Sequence, residues 1–339
     1  MSSNKPAGSL ASEDLQLGIL RPYQAPVFGT ALMQAISTFG LYIACTVAMY
    51  ISLRVSAWIT LALAIPASGL IVRIFMLQHD CGHNSFFRSR RLNLIVGTAC
   101  SLVTFTPFAY WRRLHARHHR SWNNLDDRGI AADFFSDCAT VAEYQAMTRA
   151  QKTVYRLTHH PILVHLLLPP IVFILVYRLP FDMPPACRRE RVSVYLLNLA
   201  LMIVLGGLIM AFGIKTVLLV HLPAIVLAAI VGIWLFSVQH RFEDAHWARQ
   251  TDWTSTRASL HGASYLKLPA LLQWFSGNIG LHHVHHLRPG IPNYRLQACH
   301  DECPAVTAGV TMLTLKEALK APSYILWDED LNCMVPLPS

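Results

Sequence analysis

The chain has 339 residues, of which 53% are hydrophobic and only 14% charged, with a mean hydropathy of +0.37 and a formal net charge of +9. Ordinary soluble domains carry roughly 25% charged residues, so this composition excludes a soluble globular protein and points to the membrane. The basic excess suits an anionic lipid surface or an acidic redox partner better than nucleic acid, because many of the arginines sit at the ends of apolar segments.

Residues 1–26 form a polar tail with Glu13, Asp14 and Arg21 and no cleavable apolar run, so the first apolar segment is expected to direct insertion. Four stretches reach the ~20 apolar residues that a hydrocarbon core requires: Val27–Ile51, Val55–Leu77, Val192–Phe212 and Thr216–Val238. Leu94–Ala109 and Ile162–Leu179 are marginal, and the second holds Pro169-Pro170, which breaks a straight helix. No internal repeat or second domain is visible. The expected layout is a single domain over 1–339: a tail (1–26), spans one and two (27–77), a polar segment (78–191), spans three and four (192–238) and a final polar segment (239–339).

Three histidine clusters carry the chemistry: His79-Asp-Cys-Gly-His83, His115-Ala-Arg-His118-His119 and His282-His283-Val-His285-His286. Spacings of three and four turn imidazoles onto one helix face about 5–6 Å apart, which lets them share an ion. Eight or nine imidazoles are too many for one ion, so two metals in one site are the economical reading. His283 points about 100° away from His282 on a helix and is left out. His240, where the last span ends, reads equally as a ninth ligand or as an interfacial histidine beside aromatic residues. Asn278 is expected to cap the third-box helix rather than reach a metal through water. His246 has no assigned role. His159, His160, His165, His221 and His261 lack partner spacing and read as ordinary packing residues.

Asp80, Asp126, Asp127, Glu243, Asp244 and Asp252 lie near the histidine segments, and some are expected to accept the outer N–H of ligating imidazoles. The eight cysteines include no C-x-x-C pair and are expected to be reduced thiols. Cys299-His300-x-x-Cys303 reads as structural rather than as a further metal site.

For the clusters to meet, neither marginal segment can cross the membrane alone, so both are expected to be re-entrant or interfacial. Between Gln78 and Arg191 lie fifteen Lys/Arg, against Arg54 and Lys215 in the opposite turns. The positive-inside rule then places the histidines and both termini in the cytoplasm.

The three boxes, with Tyr110-Trp-Arg-Arg-Leu-His115, Val238-Gln-His-Arg-Phe-Glu-Asp244 and Asn278-Ile-Gly-Leu-His-His-Val-His-His-Leu287, resemble the membrane fatty acid desaturases. The likeness is to the bacterial and cyanobacterial acyl-lipid type related to plant omega-6 enzymes, and covers most of the chain beyond the tail. The first box has three residues between its histidines where the acyl-CoA branch has four. The resemblance implies an all-α integral membrane protein with four transmembrane helices and a cytoplasmic helical cap carrying a histidine-rich di-metal site. It implies two iron ions (Fe2+/Fe3+) held by His79, His83, His115, His118, His119, His240, His282, His285 and His286. It also implies O2 as co-substrate and a membrane-lipid acyl chain that gains a cis double bond, with Δ12/omega-6 favoured, in a bacterial inner membrane. The acyl-CoA branch adds an asparagine one turn before the span histidine, where this chain offers Phe236 and Ser237.

No His-Pro-Gly-Gly or G-x-G-x-x-G motif is present, so an external donor, ferredoxin or a cytochrome, is expected to dock on the arginine-rich face. A di-iron hydroxylase or ketolase acting on a lipid or carotenoid is the nearest alternative. A zinc protease lacks its H-E-x-x-H glutamate, and a metal transporter would place its polar groups within the spans.

Overall fold

The computed structural model describes residues 18–128, 135, 137–304 and 308–338. The N-terminal tail of the sequence reading falls largely outside them. Among the described residues, four helices are long and apolar enough to cross a membrane: α1 (Phe28–Ser52), α2 (Ala57–His83), α8 (Arg188–Phe212) and α9 (Ile214–Val238). They are the four stretches expected from the sequence, with α2 running on through the first histidine box. Side chains such as Met33 and Ile36 of α1, Ile65 of α2, Met202 and Met210 of α8 and Leu218 of α9 are exposed. An apolar belt of this kind is stable against lipid. α2 packs against both α1 and α9 and is the central helix of the bundle.

The first marginal segment is two helices, α3 (Arg90–Thr104) and α4 (Phe108–Ser121), bent by 100°. Phe105 adopts φ 57 and Pro107 immediately precedes α4, so the chain turns where an L-residue is strained and no helical N–H is needed. Gln78 of α2 pins the corner: its Nε2 donates to the Thr106 carbonyl at 3.0 Å, and its Oε1 accepts from Thr104 Oγ1 at 2.6 Å. Arg178 donates to the Phe105 carbonyl from the other side.

Next come α5 (Val141–Ala146) and α6 (Arg149–Thr158), each opened by a threonine capping box. A wide turn at Leu163–Leu167 leads into α7 (Leu168–Ile174), with a bend of 44° between α6 and the 163–178 segment. Pro169 and Pro170 occupy the first turn of α7, where missing N–H groups cost nothing.

After α9 the helices are short: α10 (Ser255–His261), α11 (Ala270–Phe275), α12 (His282–Leu287), α13 (Asn293–Glu302) and α14 (Leu315–Ala318). Two small sheets that periodicity did not announce tie this region together. β1 (Ala139–Thr140) pairs in parallel with β4 (Leu326–Asp328), which pairs antiparallel with β5 (Cys333–Val335); β2 (Tyr265–Leu266) pairs in parallel with β3 (Met312–Leu313). Leu266 N–H donates to the Gly280 carbonyl at 2.8 Å, and a Cβ on Gly280 would stand 2.3 Å from the Leu266 oxygen. Only glycine lets this strand hold the loop that precedes α12.

Candidate metal centre

Each histidine box occupies a helix end. His79 and His83 form the last turn of α2, closed by Asn84 in the left-handed conformation (φ 55). His115, His118 and His119 lie on the C-terminal half of α4, and α12 is the third box itself. His240 follows α9 directly, fully buried, with its ring 3.7 Å from that of Trp122.

These elements bring all nine sequence-predicted histidines into two adjacent groups. One holds His79, His83, His115, His119 and His285; the other holds His118, His240, His282 and His286, with the ligand atoms of each group within 4.8 Å of one another. The groups abut, since the rings of His119 and His286 stack at 4.3 Å.

The Nε2 atoms converge. His83 and His115 approach to 2.9 Å, His115 and His119 to 3.1 Å, and His119 and His285 to 2.9 Å. In the other group His118 and His286 lie 3.3 Å apart, His240 and His282 2.9 Å, and His282 and His286 3.2 Å. Metal–nitrogen bonds of roughly 2.0–2.1 Å put neighbouring ligand nitrogens about 2.9 Å apart at right angles and about 3.4 Å apart at tetrahedral angles. The observed spacings fall in that interval, so the residues fit two ions of a kind that takes imidazole.

The protonation state agrees. Burial first, and then the proximity of other imidazoles, holds His282, His285 and His286 well below the ordinary histidine range. They are neutral at pH 7, the form that ligates.

Of the six nearby acids, only Asp80 meets this cluster among the described residues. Its Oδ1 is 3.2 Å from Nδ1 of His79, and its Oδ2 accepts from Asn293 N–H at 2.6 Å and Asn293 Nδ2 at 2.8 Å. Gln34 of α1 donates to Asn293 Oδ1 at 2.7 Å. Asp126 instead pairs with Arg249, and Glu243 accepts from Tyr324, because both lie on the polar outer loops where cations and phenols are available.

The expected cap is corrected. Asn278 sits at φ 60 and donates from Nδ2 to the Asn293 carbonyl at 2.9 Å, while α12 begins after Leu281 with no side-chain cap. In the left-handed conformation its side chain braces α13, three residues before it could serve as an N-cap. His283 lies outside both groups and meets His300 Nδ1 at 3.3 Å. His246 also lies outside them. Cys299 and Cys303 are buried with Leu281, Val284 and Leu296, the structural role expected. Ser237, one turn before the span histidine, faces His165 at 3.0 Å, while the Phe236 ring lies 5.1 Å from that of His118.

A cavity of about 450 Å3 opens onto the cluster. Its walls are apolar side chains of α2, α7 and α9, including Val72, Phe75, Phe173 and Ile233, and its inner end reaches His79, His115, His118 and His282.

Residues 56–313 match the family model described as "Fatty acid desaturase". The chain belongs to the fatty acid desaturase family. This desaturase is accordingly an oxidoreductase. It is 40% identical over 308 residues to a fatty acid desaturase of Bacillus subtilis (strain 168), an alignment covering 91% of this chain and 86% of that protein. More distant relatives include the sn-1 oleoyl-lipid 12-desaturase of Picosynechococcus sp., 27% identical over 79% of this chain and 76% of its own. The chloroplastic omega-6 fatty acid desaturase of Arabidopsis thaliana is 25% identical over 73% of this chain and 54% of its own length.

The residues that sequence reasoning missed are the braces. Asn293, Gln34, Gln78 and Trp122 carry no motif of their own and acquire a role only through contacts distant in sequence.

Proposed function

We propose that the protein is an O2-dependent di-iron acyl-lipid desaturase that introduces a cis double bond at Δ12 of a membrane-lipid acyl chain. The observation that carries this reading is the apolar cavity ending on His79, His115, His118 and His282. A reaction at an unactivated methylene needs a dry channel that fixes one carbon pair at the metal centre and keeps water out. Phe75, Phe173 and Ile233 supply the apolar walls, and Tyr110, whose OH donates to Asp182 at 2.6 Å, supplies a polar end.

The nine imidazoles, braced by Asp80 on one side, would hold the two irons; when bound, these supply the power to reduce O2 and remove hydrogen from an inert C–H bond. One O2, two electrons and two protons enter, two hydrogens leave adjacent carbons, and two waters form beside the new double bond. The electrons come from an external ferredoxin or cytochrome docking on the surface around Arg112, Arg113, Arg188 and Arg189. The Δ12 choice draws on the relatives named as 12- and omega-6 desaturases. The concentration of arginine between Gln78 and Arg191 supports an active site on the cytoplasmic face of a bacterial inner membrane.

The test is expression in a host rich in oleoyl lipids and lacking polyunsaturated ones, with lipid mass spectrometry and metal analysis of the purified chain. A cis diene at Δ12 and two irons per chain are expected, with product lost in His118→Ala and His285→Ala while membrane insertion persists. A monoene made from saturated chains overturns the position alone. Hydroxylated or ketone products without a new double bond overturn the desaturase reading, and one zinc per chain overturns the di-iron reading.

A further inference from the structure

A second cavity, of about 330 Å3, lies on the opposite flank of α2 from the acyl cavity. Val72, Phe75 and Met76 line the acyl cavity, whereas Arg73 turns to the other side and lines the second one with Gln34, Gln273 and Asn278. The geometry points to a binding site for a phosphate group, of a lipid headgroup or free in solution, with Arg73 as its cation.

Arg73 is the only Lys or Arg of α2 and is 7% exposed. Its Nε donates to Thr38 Oγ1 at 3.1 Å, its Nη1 donates to the Trp274 carbonyl, and its guanidinium lies 4.0 Å over the Trp274 ring. Nη2 has no hydrogen-bond partner, and no carboxylate lies within ion-pair distance of the group, among the described residues. A charge placed in an apolar span and held by neutral groups alone is costly to keep and marks a functional position.

The rest of the lining matches an anion. No acidic side chain borders the cavity. Gln34 Nε2 donates to Asn293 Oδ1, Gln273 Nε2 to Gln297 Oε1 and Asn278 Nδ2 to the Asn293 carbonyl, which leaves each amide a second hydrogen to offer. A planar guanidinium with a free edge, surrounded by amide donors, is suited to phosphate oxygens. The volume is enough for a headgroup. α11, which carries Gln273 and Trp274, exposes Leu271 and Leu272, as a helix lying at the lipid boundary does. This placement favours a lipid headgroup as the source. The site depends on the membrane reading and not on the reaction, so its failure leaves the desaturase proposal untouched.

Native mass spectrometry of the full-length protein, loaded with phosphatidylglycerol or with uncharged monogalactosyldiacylglycerol, tests the site. Retention of phosphatidylglycerol over the glycolipid is expected. Arg73→Gln should weaken retention about tenfold, the effect of losing one charge-assisted contact, and Arg73→Lys should restore most of it. Ala270→Trp, which leaves Arg73 in place and fills the cavity from its exposed rim, should block binding even if Arg73→Gln folds poorly. Inorganic phosphate that stabilises the parent but not Arg73→Gln, with neither lipid retained, would assign the site to free phosphate. Equal retention of both lipids, unchanged in Arg73→Gln and Ala270→Trp and with no effect of inorganic phosphate, overturns it.

Discussion

Asn293 gives both its backbone N–H and its side-chain Nδ2 to one oxygen of Asp80, while the other oxygen of Asp80 lies 3.2 Å from Nδ1 of His79. The first residue of α13 thus fixes a carboxylate on the last turn of α2, 213 positions away in the chain. A carboxylate held in this way fixes the imidazole's tautomer, leaving Nε2 free to face the metal centre.

Asp80→Asn should therefore lower metal affinity about 10–100-fold, the usual cost of losing such a partner. Asn293→Ala should lower it less, because the backbone donor survives. Metal titration of the purified chain checks both, with membrane insertion as the folding control. Affinity unchanged in both variants would show that Asp80 does not orient His79.

The corner between α3 and α4 is as closely built. A Cβ on Gly97 would lie 2.5 Å from the Phe108 ring, whereas one on Gly206 or Gly207 of α8 meets nothing within 4 Å. Gly97→Ala must push Phe108 at the start of α4 and should cost about 1–3 kcal/mol, as overpacking does. Gly206→Ala should be neutral or slightly stabilising. Thermal unfolding in detergent measures the difference, and equal melting temperatures would refute it.

The boxes were legible because their information is local: spacings of three and four on a helix are visible in one dimension, and the spans are visible as apolar runs. His240 was ambiguous because a single histidine at a helix end has no spacing to read; the fold resolves its position by packing its ring against that of Trp122 and setting it 2.9 Å from His282. Asn278 was misread since N-cap propensity is judged from distance to a helix start, and its left-handed backbone turns the amide toward Asn293 instead. Asp80 could not be told from Asp126 by proximity in sequence. What separates them is Asn293 on one side and Arg249 on the other, both fixed by long-range packing.

Convergence of the histidines constrains the topology. Since His83 and His115 lie 2.9 Å apart, the chain between them crosses the membrane an even number of times, and the 100° bend between α3 and α4 fits a segment that enters and returns. His118 and His286 lie 3.3 Å apart, so with α8 and α9 both crossing, the 149–178 segment does not cross alone, and the exposed Asp127 and Arg189 lie on the same side. In a cysteine-free background, Asp127→Cys and Arg189→Cys should be labelled only from the cytoplasmic face. Labelling of either from the periplasm alone would refute the four-span arrangement.

The acyl cavity makes a prediction about chain length. Along α9 its wall is built from Ala228, Ala229 and Gly232, small residues beside the larger Ile225 and Ile233. Gly232 is half-buried, and a Cβ there would meet nothing within 4 Å, so added atoms enter open space rather than a neighbouring helix. Gly232→Leu should leave α9 folded and His240 in place while shortening the room for an acyl chain. Each methylene excluded from an apolar pocket is worth about 1–3 kcal/mol, or roughly 10–200-fold in kcat/KM. Product analysis with acyl chains of graded length should show activity shifted toward shorter chains, with metal content unchanged. A uniform loss across all lengths would mean that the substitution damages the site rather than the channel, and an unaltered profile would mean that the acyl chain does not run along α9.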